Sequence, residues 1–459
     1  MLQGWDPTWK VRRIDARAAI DGRGCAADHA SGVSAVIERA PTGTLTLAAL
    51  GPTDEVASSS RWAGVASTDR RQSLLLPGLV NAHTHLDLTH IGPRPHDPAA
   101  GFAAWIGMIL RARLSDEPSI AAAVGRGVGL SLAGGTVLIG DISGAVGGLP
   151  SPFAGRALAG DGRVNGVAYL EFFAQGAKAD KNTVSAAWNA KALAGEFDAM
   201  TACGRVVSGI QPHAIYSVGV MHFLQVLASV PDDMPTCSHI AESLAEKRFV
   251  AEAAGPFVDM LRTLNLWDDS DPPPGLGESP IDVLMGHGAA DHRIAAVHVN
   301  DVDDDDLHNL AAAQWPVVYC PRSSSYFGAH SDFGPHRYRD MLAAGITVAL
   351  GTDSIVNLDT PDRISVWDEM RLLHQRDGTD PLTLLKLASI NGAAALRRET
   401  APFTLTPLGS LAGLVAIQVP NANPNANSSE LLTQALGPGA TGGRTSAADG
   451  PELLAIGRV

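Results

Sequence analysis

Short, continuous apolar runs recur along the middle of the chain, set between longer stretches with helical spacing. Eight stand out, at 74–80, 136–141, 164–171, 206–212, 236–240, 294–299, 316–320 and 346–351. Helix-like segments separate most of them, for example 122–132, 185–199 and 243–263. Unbroken apolar runs suit strands buried on both faces, and strand–helix alternation sets such strands parallel. Eight repeats predict an α/β fold of the (β/α)8 TIM-barrel type over residues 74–400.

The flanks read differently. Residues 1–73 hold short runs punctuated by Gly, Thr and Ser, such as 32–38 and 43–50, and residues 401–459 hold similar runs at 411–420 and 453–459. Two terminal β segments pair most simply with each other, which predicts a small composite β-sandwich beside the barrel. The stretch 421–450, rich in Pro, Asn, Gly and Ser, reads as a flexible loop.

Composition narrows the chemistry. With 459 residues and 45% hydrophobic content the chain can bury a large core, and a formal charge of −14 leaves no basic footprint. A nucleic-acid polymer or an anionic membrane surface is therefore not the expected partner; a small neutral or cationic substrate is. Self-association into a homo-oligomer is left open. Cys25, Cys203, Cys237 and Cys320 lie far apart without CxxC spacing, which fits reduced thiols better than a disulfide framework or a thiolate zinc site. The start, MLQGWDPTWKVRRIDAR, lacks the apolar core of a signal peptide, and no run reaches the roughly 18 apolar residues of a membrane span. A cytoplasmic location is expected.

The sharpest local signal is Pro77-Gly78-Leu79-Val80-Asn81-Ala82-His83-Thr84-His85, an apolar strand ending in two histidines one residue apart. Side chains i and i+2 share a strand face, so both imidazoles can aim at one cation. Further candidates fall at the ends of later strands: His213 after Gln211-Pro212, His239 and Glu242 in Ser238-His239-Ile240-Ala241-Glu242-Ser243, His298 in Val297-His298-Val299, and Asp353 in Gly351-Thr352-Asp353-Ser354. Each has an ordinary alternative, since a strand-end His is often structural, Gly-Thr-Asp often a turn, and Glu242 could be a helix-start carboxylate. Strand ends on one rim are where barrel enzymes place catalysis, and the candidates recur there together.

These segments, with QPHAIYSV, SHIAES, VVYCPRSSSYFG, and MLAAGITVALGTDS followed by DEMR, make residues 74–396 similar to the amidohydrolase superfamily, in its cytosine deaminase and chlorohydrolase-like branch. The resemblance implies a (β/α)8 barrel, a composite terminal β domain and one divalent metal, zinc first and ferrous iron second. It implies His83, His85, His239 and Asp353 as ligands, Glu242 as proton shuttle, and His298 as partner of the attacking water. Asp353 doubles as acceptor of the water's proton. His213 corresponds to a substrate-contacting residue rather than a ligand, because His239 alone carries the adjoining HxxE. Trp105, Glu171, Arg322 and Tyr326 are further pocket candidates. Binuclear relatives use a carboxylated lysine at a strand end, and none of the six lysines (Lys10, Lys178, Lys181, Lys191, Lys247, Lys386) lies in a strand run, so a single metal is expected. The terminal segment departs from the family's usual Gly-rich, Ala-Asp pattern, reading Gly409-Ser410-Leu411-Ala412-Gly413-Leu414-Val415.

A cation at this site brings water's pKa toward neutrality, and a carboxylate such as Glu242 can carry protons to ring nitrogen and departing ammonia. The leading expectation is hydrolytic deamination of an amino-N-heterocycle or aminopurine nucleoside-like molecule, similar to aminodeoxyfutalosine-type and adenosine-type deaminases. Hydrolysis of a C–Cl, amide or cyclic-amidine bond is the alternative. A non-catalytic binding barrel is a third, against which the retained ligand set argues.

Overall fold

The computed structural model describes residues 9–96, 100–173, 201, 204–267, 275, 278–438 and 450–459. The predicted helix at 185–199, Lys178, Lys181, Lys191 and Cys203 lie outside them.

The chain opens with β1 (Val11–Asp21), β2 (Gly24–Arg39), β3 (Leu45–Pro52) and β4 (Ser67–Pro77). Eight parallel strands follow: β5 (Leu79–Thr84), β6 (Thr136–Ser143), β7 (Asn165–Phe172), β8 (Val206–Pro212), β9 (Cys237–Ile240), β10 (Ala295–His298), β11 (Val317–Tyr319) and β12 (Val348–Leu350). The last three are β13 (Ser410–Leu411), β14 (Gly413–Gln418) and β15 (Glu452–Ile456).

β5 to β8 form one four-stranded sheet in chain order and β9 to β12 a second. Isolated parallel bridges join their edges, Ile210 to Thr236 and Thr84 to Asp353, so each strand neighbours the next in sequence around a ring. Their residues are almost wholly buried, which is why the strands read as unbroken apolar runs rather than alternating ones. Helices such as Glu117–Ala133, Phe153–Asp161, Asp304–Ala312 and Val366–Asp377 lie between or after them.

Both termini enter one seven-stranded sheet, ordered β13-β3-β2-β1-β4-β14-β15. The predicted partnership of the ends is present, but as a single hydrogen-bonded sheet; a two-layered sandwich is not among the described sheets. β4 pairs antiparallel with β14, Leu76 opposite Val415, and parallel with β1. Consequently the apolar run at 74–80 is divided: Leu74 to Pro77 complete β4, and the parallel strand begins at Leu79.

Two expected elements change on inspection. The segment 243–263 forms two helices, Leu244–Glu252 and Pro256–Thr263, because Ala253 and Gly255 take left-handed conformations and Pro256 starts the second. The expected loop at 421–450 contains a helix, Ser428–Leu436, with Leu431, Leu432 and Leu436 buried. Asn427 accepts from Glu430 N at 3.0 Å and Glu430 returns the bond to Asn427 N at 2.8 Å. This reciprocal cap is legible as Asn-x-x-Glu, but the polar surroundings masked it. Among the described residues no helix is long and apolar enough to cross a membrane.

Candidate metal centre and cavity

β5 ends with His83 on one face, and His85 follows on the same side, as the two-residue strand period requires. The neighbouring strand end is locked to it: Thr352 N donates to the His83 carbonyl at 3.0 Å, and the Asn81 side chain bonds Thr352 Oγ1 at 2.8 Å. Gly351 makes this approach possible, since a Cβ there would stand 2.9 Å from both His83 Cβ and Cys320 Sγ. Left-handed backbone at Ala241, His298, Val299 and Asp353 turns the chain sharply at three strand ends. Uncommon geometry gathered on one rim is typical of sites where side-chain direction matters more than local comfort.

The side chains meet there. His83 Nε2 and His239 Nε2 are 3.3 Å apart, and His85 Nε2 is 3.6 Å from Asp353 Oδ1. Ring centroids of His83 lie 5.0 Å from those of both His85 and His239. Next to them, His298 Nε2 is 3.5 Å from Glu242 Oε1. Ligand-type atoms of His83, His85 and His239 fall within 4.8 Å of one another, as do those of Glu242, His298 and Asp353. Asp353 is held firmly: its Oδ2 accepts from Ser323 Oγ at 2.7 Å and Asn357 Nδ2 at 2.8 Å, and its Oδ1 from Ser354 N at 2.6 Å.

Burial sets the charge states. It lowers the imidazoles of His83, His85 and His239 well below the usual histidine range, helped by mutual repulsion and, at His85, by Arg113. Burial likewise takes His298 down to about 3, with His336 and His213 adding to it. The rings are therefore neutral, with lone pairs to give. Burial raises the Glu242 carboxyl well above its ordinary value, and nearby Asp353 and Glu246 raise it further. Such a carboxyl can carry a proton near neutral pH.

This donor set fits a divalent cation. Ring nitrogens about 2.0–2.1 Å from a zinc ion stand roughly 3–4 Å from one another, and the 3.3 Å between His83 Nε2 and His239 Nε2 matches that spacing. Nδ1 of His83, His85 and His298 are buried without a hydrogen-bond partner among the described residues. Three imidazoles and a carboxylate suit zinc or ferrous iron.

A cavity of about 540 Å³ opens from this cluster. His85, His239, Glu242, His298 and Asp353 form its polar floor, and Phe102, Trp105, Ile106, Ile109, Leu261 and Leu264 an apolar wall. Of the expected contact residues, Trp105, Glu171 and His213 line the cavity. His213 turns its Nε2 toward Glu171 Oε1 at 3.9 Å, and its ring centroid is 4.8 Å from that of His239. Tyr326 stacks on His96 at 4.8 Å and is not among the lining residues. Arg322 is also elsewhere. Its guanidinium bonds Glu369 Oε1 at 2.6 Å, Asp359 at 3.2 Å, Thr360 at 3.0 Å and the Ser365 carbonyl at 3.2 Å, so it ties the helix after β11 to Val366–Asp377. Nothing in CPRSSSYFG distinguishes this internal use from substrate contact.

Other residues went unread in the sequence. Arg113, half-buried at the cavity side, reaches Asp87 at 3.2 Å and Glu171 at 3.4 Å. Gln211 Nε2 lies 3.2 Å from His239 Nε2, and Glu246 accepts from Glu242 N at 2.8 Å. Asp87 and Gln211 sit beside the HxH and PH signals and could have been suspected; Arg113 follows a helix with no marker.

Neutral imidazoles and a buried carboxyl gathered at the ends of parallel strands define a metal-dependent hydrolase type of site. The amidohydrolase family model matches residues 74–401, and the chain belongs to this family. It is 28% identical over 382 residues to aminodeoxyfutalosine deaminase of Deinococcus radiodurans, covering 78% of this chain and 81% of that protein. Among solved structures it resembles a zinc-bound adenosine deaminase from Xanthomonas campestris (TM-score 0.65, 20% identity, 97% of this chain and 89% of the other). It also resembles zinc-complexed atrazine chlorohydrolase from Arthrobacter aurescens TC1 (TM-score 0.66, 17% identity, 97% and 95%). These two likenesses show a shared fold.

Proposed function

We propose that this chain is a mononuclear metal-dependent hydrolase that deaminates an aminopurine nucleoside-like small molecule. The observation that carries it is the pairing of Glu242 with His298 at 3.5 Å beside the His83/His85/His239 cluster, at the floor of a cavity with an apolar wall. The family membership and the deaminase named among its relatives support the reaction class. In this reading β5 to β12 form the barrel, within 74–400, and the segments 1–73 and 401–459 form one composite β domain. A cytoplasmic setting suits such small-molecule chemistry.

His83, His85, His239 and Asp353 would hold the cation, zinc first because solved neighbours carry it, iron second. When bound, the cation supplies Lewis acidity and makes hydroxide available near neutral pH. Asp353 receives a proton from the attacking water, its carboxylate oriented by Ser323, Asn357 and Ser354. Glu242 delivers protons to the ring nitrogen and to departing ammonia. His298, neutral and beside Glu242, orients the water. The apolar wall receives the rest of the substrate and excludes water from the reacting centre.

Metal analysis with an ammonia-release screen over amino-N-heterocycles and adenine nucleosides tests this. About one zinc per chain with ammonia release is expected. Chloride release from chlorinated heterocycles without ammonia would replace the reading by dehalogenation, and an inert metal-loaded protein would point to a binding barrel.

A further inference from the structure

One corner of the cavity, beside the imidazole cluster, has no task in the hydrolytic step. Glu171 near the end of β7 and His213 just after β8 both line it. The Ser217 hydroxyl has a single proton and donates it to the Ala214 carbonyl at 3.1 Å. With that proton on Ala214, the hydroxyl accepts from His213 Nδ1 at 2.6 Å, the assignment in which Nδ1 carries the ring proton and Nε2 is a bare acceptor. Glu171 Oε2 accepts from Ala145 N at 3.1 Å and Arg113 Nη2 at 3.4 Å. Its other oxygen, Oε1, receives no hydrogen bond among the described residues and stands 3.9 Å from His213 Nε2. Two acceptors thus face one space, in a residue pair of which Glu171 is only 1% exposed.

The arrangement is built rather than incidental. Arg113 lies between Asp87 and Glu171 and fixes the direction of the Glu171 carboxylate. Gly144 makes room for it, since a Cβ there would stand 1.9 Å from Arg113 Nη2. Phe173 stacks on the His213 ring at 4.5 Å between centroids.

We infer that Glu171 Oε1 and His213 Nε2 form a specificity subsite that takes the vicinal diol of a sugar ring, one hydroxyl to each acceptor. Facing lone pairs reject a carboxylate or phosphate, whereas two neutral hydroxyl donors satisfy both acceptors. This deepens the nucleoside-deaminase reading and rests on it. Arg113 and Ser217 are positioning residues, acting through Glu171 and His213.

The test uses the zinc-loaded full chain with 5′-methylthioadenosine and its 2′,3′-dideoxy counterpart, following ammonia release and, separately, calorimetric binding. A site built for hydroxyls discriminates strongly against analogues lacking them. The dideoxy compound is expected to lose roughly a hundredfold in kcat/KM and in affinity. Glu171→Gln and, independently, Ser217→Ala should each shrink that ratio to about tenfold or less, a change in discrimination that a merely structural defect would not produce. Equal use and equal binding of the two compounds by the wild-type protein overturns the subsite. Diol-dependent binding without ammonia release supports the subsite and overturns the deaminase reading. Failure of both compounds to bind overturns both.

Discussion

The Thr84 hydroxyl donates to the backbone carbonyl of Asp353 at 3.0 Å, across 269 residues of sequence. The same two residues form the single bridge between β5 and the chain leaving β12. This contact helps to set Asp353 beside His85, joining the first and last strand ends of the site together with the bonds from Thr352 N and Asp353 N to the His83 carbonyl. Thr84→Val keeps the shape and removes the bond. Zinc affinity is expected to fall about 10–100-fold with the fold retained, because partners that orient ligands carry effects of that size. Competition with a chelator measures it; unchanged affinity would show that Asp353 is positioned without the Thr84 hydroxyl.

Glu242→Gln should lower kcat by about 10²–10⁴ while metal content and melting temperature stay near wild type. The amide keeps the side chain's shape beside His298 but cannot shuttle a proton. Near-normal turnover on the true substrate would take Glu242 out of the mechanism.

Removing the cation should abolish turnover and lower the melting temperature, and zinc should restore both. Neutral, closely packed imidazoles with Nε2 atoms facing one another gain from a cation only in the folded chain, so binding adds to stability by mass action. A scan with and without chelator reads this; identical melting curves would argue against a ligand cluster at His83, His85 and His239.

Arg322→Met should destabilise the chain by about 3–5 kcal/mol, since it leaves buried Glu369 without its partner. In protein that still folds, KM should change little. A large KM increase at unchanged stability would restore the substrate contact expected from the sequence.

Glu246 offers a test of pH dependence. Burial raises its carboxyl to about 7, against the lowering effect of backbone donors at Glu242 and Ala241. The folded state thus favours the protonated form. That contribution is complete below about pH 4.5 and is lost as pH rises through about 7. Oε1 has no partner, so Glu246→Gln can place its amide nitrogen there while the oxygen keeps the bond from Glu242 N. The melting-temperature difference, variant minus wild type, should grow between pH 5 and pH 8. A flat difference would mean that Glu246 titrates normally.

Much of this architecture was written locally. The eight buried strands were legible because strands covered on both faces must be apolar throughout, and His83, His85, His239, His298 and Asp353 were legible because each ends such a run. The pairing of the termini was also readable, though not its form as one sheet. What the tertiary structure alone decided depends on partners distant in sequence. Arg322 lies in a motif-like segment but is claimed by Glu369, 47 residues on. Arg113 carries no local mark, yet folding sets it against Asp87 and Glu171. Periodicity records which side of an element faces the interior, because burial acts on every residue of the element in turn. It does not record which charge meets which, because that depends on how the elements are placed around the ring.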